Sequence, residues 1–225
     1  MHPTKQRATR ADEKESRRQQ LLDAAYTLSQ STPYDLLTVA QIAEQAKLAK
    51  GTVYLYFNSK EELFLGLTER LLTAWLDELD QFLAQDALQH HAETNHAAII
   101  AQQMAETLAA TPLLLNMVGM LHTVLEARSD YDAVLAFKRF LNQRLLRSGA
   151  LLERALFGSA TGTGAQVFVE LHALAIGVEH LARQSEVTRL VEQNHPHLAL
   201  GNTTFAPRFA HAATALLRGF QREVS

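Results

Sequence analysis

The segment Thr38–Ala46, TVAQIAEQA, constrains the fold most. Its apolar residues Val39, Ile42, Ala43 and Ala46 recur at the i, i+3, i+4, i+7 spacing that lines one face of an α-helix. Thr38, followed three residues later by Gln41, has the form of a capping box, so the helix starts there. So short a helix is unstable alone in water and must bury its stripe against neighbours. Upstream, RRQQLLDAAYTLSQ sets Leu21, Ala24, Ala25 and Leu28 on one stripe, until Pro33 ends that helix. Downstream, after Lys47, Leu48 and Ala49, a second short helix is predicted from about Lys50 to Leu55. One longer helix followed by two short ones across a tight turn is the plan of a helix-turn-helix unit.

The rest of the chain keeps the helical period. Ser59 with Glu62 makes another capping box and opens a long helix carrying Phe64, Leu67, Leu71, Trp75, Leu79 and Phe82. Further helices are predicted over 96–110, 113–127, 131–156, 164–183 and 204–222, punctuated by Pro112, Gly158, Gly162 and the segment NHPHLALGN. Alternating strand patterns are scarce, so the fold class is all-α. Residues 1–64 form a three-helix domain behind an N-terminal arm, and residues 65–225 form a larger helical domain.

Charge divides along the same line. The net charge of −3 splits into +3 over residues 1–60 and −6 over the remainder, and a basic segment is where a polyanion binds. There is no cysteine, hence no disulfide framework and no thiolate site. The longest nearly uncharged apolar run, 112–121, falls short of the ~20 residues that span a bilayer. The first residues are polar and lack the apolar core of a signal peptide. A cytoplasmic protein is expected.

The stretch AKGTVYLYFNSKEEL joins tyrosines to lysines. Wound at 100° per residue, Ala49, Val53 and Phe57 face the preceding helices, Lys50, Gly51 and Tyr54 face away, and Thr52 and Tyr56 lie at the margins. Hydroxyl and ammonium donors around a small residue suit a phosphate-lined groove and a close approach to base edges. Lys60 falls in the first turn of the long helix, where free N–H groups also attract a phosphate. The whole stretch LTVAQIAEQAKLAKGTVYLYFNSKEELF, with the helix before it, resembles the DNA-binding signature of the tetracycline repressor (TetR) family of bacterial regulators. The resemblance implies that Lys50, Gly51, Thr52, Tyr54 and Tyr56 face operator DNA. It further implies that Thr38 and Val39 approach from the start of the preceding helix, and that Lys60 holds a backbone phosphate. Two positions depart from the family pattern. Lys47 stands where the turn commonly has Gly, and Ala49, which cannot cap, stands where the second helix commonly opens with Ser or Thr; each costs roughly 1 kcal/mol. The arm carries Lys5, Arg7, Arg10, Lys14, Arg17 and Arg18, and reads as a solvated tail or as a strand of charge for an adjacent minor groove.

In the second domain, GAQVFVELHALAIGVEHLAR is apolar on nearly all faces and must be covered nearly all round. One face meets its own domain and the other needs a partner. In the family, two helices near the C-terminus pair with their copies in a homodimer, and the resemblance implies Phe168, Leu171, Ala175, Val178 and Ala182 with Phe209, Ala213, Leu216 and Phe220 as that interface. Adaptable and apolar side chains gather in the middle helices: Trp75, Met104, Leu108, Met117, Met120, Phe137, Phe140 and Phe168. A cavity lined by them would take a largely apolar small molecule, oriented by Asn116, His122, Glu126 or His172.

Other chemistry is weak. His90, His91 and His96, and His195 with His197, lack the spaced carboxylate or thiol partners of a metal site. GSATGTG lacks the Lys-Ser/Thr and the strand of a phosphate loop, and DELD is a surface carboxylate cluster. No catalytic set, metal site or cofactor is predicted. The expected function is a homodimeric regulator of transcription, a repressor released from operator DNA by a small apolar effector. The alternative is a DNA-bound protein whose second domain contacts another protein and has no small-molecule pocket.

Overall fold

The computed structural model describes residues 4–85, 95–158, 162–199 and 204–224. Among the described residues there are ten α-helices and no strand. They are α1 Thr4–Ser29, α2 Val39–Gln45, α3 Lys50–Val53, α4 Lys60–Leu83, α5 His96–Ala109, α6 Pro112–Met120, α7 Tyr131–Phe157, α8 Gly164–Ala182, α9 Glu186–Asn194 and α10 Phe205–Val224. The all-α expectation holds. No single described helix is long and apolar enough to cross a membrane; His96–Ala109 and Pro112–Leu125 reach that length only as a pair bent by 91°.

Two compact units divide the chain: residues 1–70 with 120–138, and residues 71–119 with 139–225. Helices α4 and α7 each run from one unit into the other. The division departs from 1–64 and 65–225 in two places, the first unit running on to residue 70 and taking in residues 120–138. There, Asn58 donates to Asp130 (3.0 Å), whose other oxygen caps α7 through the Ala133 N–H (2.8 Å). The Ala133 bond, then the Asn58 bond, hold the Asp130 carboxyl below its ordinary range.

In the first unit α1 packs on α2 and α2 on α3. Leu21, Leu22, Ile42, Ala43, Val53, Phe57, Leu63 and Phe64 are buried, and each large apolar side chain so placed contributes roughly 1.5–3 kcal/mol. The Thr38–Gln41 capping box forms, with Thr38 Oγ1 accepting from the Gln41 N–H (3.2 Å) and Gln41 Oε1 accepting from the Thr38 N–H (2.9 Å). The second box is displaced by one residue. Ser59 Oγ caps the Glu62 N–H (3.0 Å), but Glu62 reaches back to the Asn58 N–H (2.6 Å).

In the second unit α10 packs against α5 and α8. Phe209, Ala213 and Leu217 from α10 and Val167, Phe168 and Leu171 from α8 are buried there. Buried Glu153 accepts from the Gly162 N–H (3.1 Å), the Gly164 N–H and the Thr163 hydroxyl (3.2 Å). A carboxylate at the first N–H groups of α8 complements the helix dipole. A methyl group on Gly164 would overlap the Gly149 carbonyl, so this crossing of α7 and α8 requires glycine.

Three element expectations fail. The helix over 113–127 divides: α6 ends at Met120 and one turn of π-helix, Leu121–Leu125, follows, with Gly119, the weakest helix former of the segment, at the junction. Helix α9 lies where none is predicted. Helix α1 begins at Thr4 rather than near Arg17, so the arm from that residue on is helical backbone.

Candidate nucleic-acid interface

Helix α3 has four residues, too few to sustain itself, and its position is imposed by its anchors. Val53 and Phe57 point inward and are buried, with the Arg18 guanidinium 5.3 Å from the centre of the Phe57 ring. The backbone after Val53 closes in tight turns, the Phe57 N–H donating to the Val53 carbonyl (3.0 Å). The opposite face is therefore fixed outward. Lys50, Gly51 and Tyr54 are exposed, and Thr52 and Tyr56 are half-buried, as the helical winding predicts. A Cβ built on Gly51 meets nothing within 4 Å. Leu55, 72% exposed, joins this face; helical winding does not single it out because it stands where the predicted helix ends.

Ala49 is a correction. It is exposed rather than inward because it is the extended residue before α3 (φ −68°, ψ 143°), where helical winding does not yet apply. No side chain caps the helix at this position. Lys47 does take the left-handed conformation, φ 55°. Its N–H donates to the Glu44 carbonyl (2.9 Å) and the Leu48 N–H to the Ala43 carbonyl (2.9 Å), the paired bonds of a Schellman ending for α2. At the other end of α2, Thr38 is exposed and Val39 half-buried, beside the outward face of the unit.

Lys60 is a second correction. Its ammonium turns inward and donates to the carbonyls of Tyr34 (2.9 Å) and Leu37 (3.0 Å), and it lies 3.9 Å from the centre of the Tyr34 ring. Two of the three ammonium donors are thus taken by carbonyls, and the Tyr34 ring faces the charge. Burial lowers the Lys60 pKa, against the opposing pull of Glu61 and Asp35. The residue clamps the 3-10 turn Tyr34–Leu36 to α4, so its ammonium is committed to the fold rather than aimed at a phosphate. Tyr34, which no motif in the sequence marks, completes the clamp. Its hydroxyl donates to Glu61 (2.8 Å) and its ring meets Phe64 edge-on at 4.9 Å. Burial, then the Glu61 carboxylate, hold the phenol well above its ordinary range.

Residues 69–223 match the family profile described as tetracyclin repressor-like, C-terminal domain, and residues 21–67 match that of bacterial regulatory proteins, tetR family. The chain belongs to the TetR family. An uncharacterized HTH-type transcriptional regulator of Bacillus subtilis (strain 168), YfiR, is 34% identical over 70 residues, 31% of this chain and 34% of the relative. The fatty acid metabolism regulator protein of the same organism is 31% identical over 68 residues, 30% of this chain and 35% of that one. The match thus spans about a third of the length of these curated relatives. A TetR transcriptional regulator from Rhodococcus sp. RHA1 shares the fold, with a TM-score of 0.57 at 16% identity over 94% of this chain and 98% of that one.

The expected effector-lining residues are divided between the two units. Met120, His122, Glu126 and Phe137 belong to the first, and Trp75, Met104, Leu108, Asn116, Met117, Phe140, Phe168 and His172 to the second. His122 is exposed and pairs with Glu126 (3.0 Å), which also pairs with Lys138 (2.8 Å). Burial raises the Glu126 pKa, but Lys138 and His122 outweigh it and hold the carboxyl below its ordinary range. The Trp75 indole donates to Thr107 (3.0 Å). Asn116 Oδ1 is buried and lacks a hydrogen-bond partner among the described residues.

The expected pairing surface is also corrected. Phe168, Leu171, Ala175 and Val178 of α8 and Phe209 and Ala213 of α10 are buried within the chain itself. Ala182, Leu216 and Phe220 are half-buried. The six buried residues lie on helices that pack against each other within the chain, so they are not a free pairing surface. The outward stripe of α8 is the other apolar one, with Val169, Ala173, Gly177 and Leu181 on it, Val169 and Leu181 being exposed. His90 and His91 lie outside the described residues, while His195 and His197 are exposed with their rings 6.0 Å apart.

Proposed function

We propose that this chain is a DNA-binding transcriptional repressor that works as a homodimer in the cytoplasm and releases its operator when a small, largely apolar effector binds. The observation that carries the reading is the outward face of α3. Lys50, Tyr54 and the open backbone at Gly51 stand free of structural duty, because Val53 and Phe57 do the anchoring. Such a face can enter a major groove with its small residue against base edges and its donors on base edges and phosphates. Thr38 and Val39 at the start of α2, with Thr52 and Tyr56 at the margins, would reach the flanking backbone.

Two further observations support the remaining parts. The outward apolar stripe of α8 favours pairing with a second copy, where Ala173 and Gly177 permit close approach. The partnerless Asn116 oxygen within apolar α6 favours a ligand that brings a donor, since an unmet buried acceptor costs about 1–3 kcal/mol. Because α4 and α7 pass through both units, effector and operator can bias one equilibrium, provided the effector binds the DNA-incompetent state more tightly. Selection from a randomised duplex pool tests the core of the proposal. An enriched near-palindrome with half-site centres about 34–36 Å apart, or a multiple, is expected. Recovery of unenriched sequence would sink it.

A further inference from the structure

We propose that a groove beside α3 is the phosphate clamp of this unit, holding the duplex backbone through Lys14, Arg17 and the Tyr56 hydroxyl. The proposal rests on the DNA-binding reading above and adds phosphate contacts by Lys14 and Arg17, to which the family resemblance assigns no DNA contact. The groove is open, has a volume of about 500 Å³, and is lined by Glu13, Lys14, Ser16, Arg17, Gln20 and Tyr56.

Its arginine is placed, not merely present. Arg17 Nη1 donates to Gln20 Oε1 (3.2 Å), and Gln20 Nε2 donates to the Ala46 carbonyl (2.8 Å) at the end of α2. The guanidinium is thereby tied to the turn that sets α3, and it keeps donors to spare, since it carries five N–H groups. Lys14 stands one turn earlier on α1, and Tyr56 follows α3 by three residues. A phosphate seated here would meet a fork, an ammonium and a hydroxyl, the donor types that position a protein on a duplex. A helix cannot thread a minor groove as an extended arm does, so these cations suit the backbone.

Two neighbouring cations are otherwise engaged. Arg18 lies over the Phe57 ring and 3.8 Å from Glu15, and Lys60 is held by two carbonyls and the Tyr34 ring. Glu13 shares the rim and opposes an anion, which gives the clamp a testable polarity.

The experiment is titration of a mixed-sequence duplex by the full chain at several salt concentrations. One lost phosphate contact removes about 0.9 from the slope of log affinity against log salt. Arg17→Ala should therefore change the affinity loss relative to the wild type by about 3.5-fold between about 50 mM and about 200 mM salt, the loss being greater at the lower concentration. Arg17→Lys should restore most of the slope, Lys14→Ala with Arg17→Ala should double the loss of slope to about 1.8, and Glu13→Gln should tighten binding. Arg18→Ala should lower the melting temperature and leave the slope unchanged. Parallel salt plots for wild type and Arg17→Ala would overturn the clamp while leaving the DNA-binding reading intact. Absence of salt-dependent duplex binding by the wild type would overturn both.

Discussion

Helix α3 is four residues long and hangs on Val53 and Phe57, whereas α8 is nineteen residues long and apolar on nearly every face. The short helix takes its stability from what surrounds it, so its outward residues carry little of the fold. The long helix takes its stability from its own inner stripe, and its outer stripe is apolar surface left uncovered. Substitutions on the outward face of α3 should accordingly be read in binding. Those on α8 should be read in folding or in association, depending on the stripe.

The largest effect tests the two stripes of α8. Phe209, fully buried on α10 where that helix packs against α5 and α8, should cost about 3–5 kcal/mol when cut to Ala, measured by denaturant titration. Replacing exposed Val169 and Leu181 by Glu should leave the unfolding of dilute protein nearly unchanged but shift sedimentation from dimer to monomer. If the double Glu variant unfolds as readily as Phe209→Ala, the outer stripe belongs to the fold and the comparison breaks.

Lys60→Ala comes next. It removes two hydrogen bonds from a charged donor and the ring contact with Tyr34. A loss of about 1.5 kcal/mol is expected, the low end for charged donors, because the group keeps some contact with water. The salt slope of duplex binding should not move. A flattened slope with unchanged stability would return Lys60 to the phosphate role that the signature implies.

The first unit is legible in the sequence because its inside and outside differ chemically. Val53 and Phe57 alternate with Lys50, Gly51 and Tyr54 at helical spacing, and only one orientation buries apolar surface. Both stripes of α8 are apolar, so periodicity marks the helix and cannot choose its inward side. Polar α1 escapes for the converse reason, since residues 4–16 lack an apolar stripe to mark a helix. Helix α9 does carry a signal. Ser185 caps it through the Thr188 N–H (3.0 Å), and Val187, Leu190 and Val191 share a face. That face is exposed, and the β-branched residues in it weaken the helical pattern. The inward turn of Lys60 is hidden from the sequence because it depends on the carbonyls of a 3-10 turn and its flank, 23 and 26 residues away.

Lys47→Gly sharpens the comparison at the hinge between α2 and α3. A left-handed lysine at φ 55° is strained, and glycine relieves that strain while adding freedom to the unfolded chain. The relief outweighs the added freedom, so a gain of up to about 1 kcal/mol is expected, with duplex binding unaltered. A lower denaturation midpoint at unchanged slope would mean that the Schellman bonds hold the lysine without strain.

Gly51→Ala asks the smallest and most discriminating question. Within the protein nothing explains a glycine there: its backbone is right-handed helix and a methyl group would meet open space. Glycine inside a helix costs roughly 0.5–1 kcal/mol relative to alanine, and a four-residue helix should recover the lower part of that range. The variant should thus be slightly more stable. On DNA the sign reverses, because the added methyl stands on the face offered to base edges and holds the helix away from them. Thermal melts and titration of the selected duplex, run on the same preparation, separate the two. Higher stability with weaker binding places Gly51 at the interface. Higher stability with unchanged binding removes α3's outward face from DNA, and lower stability means that the glycine serves the fold after all.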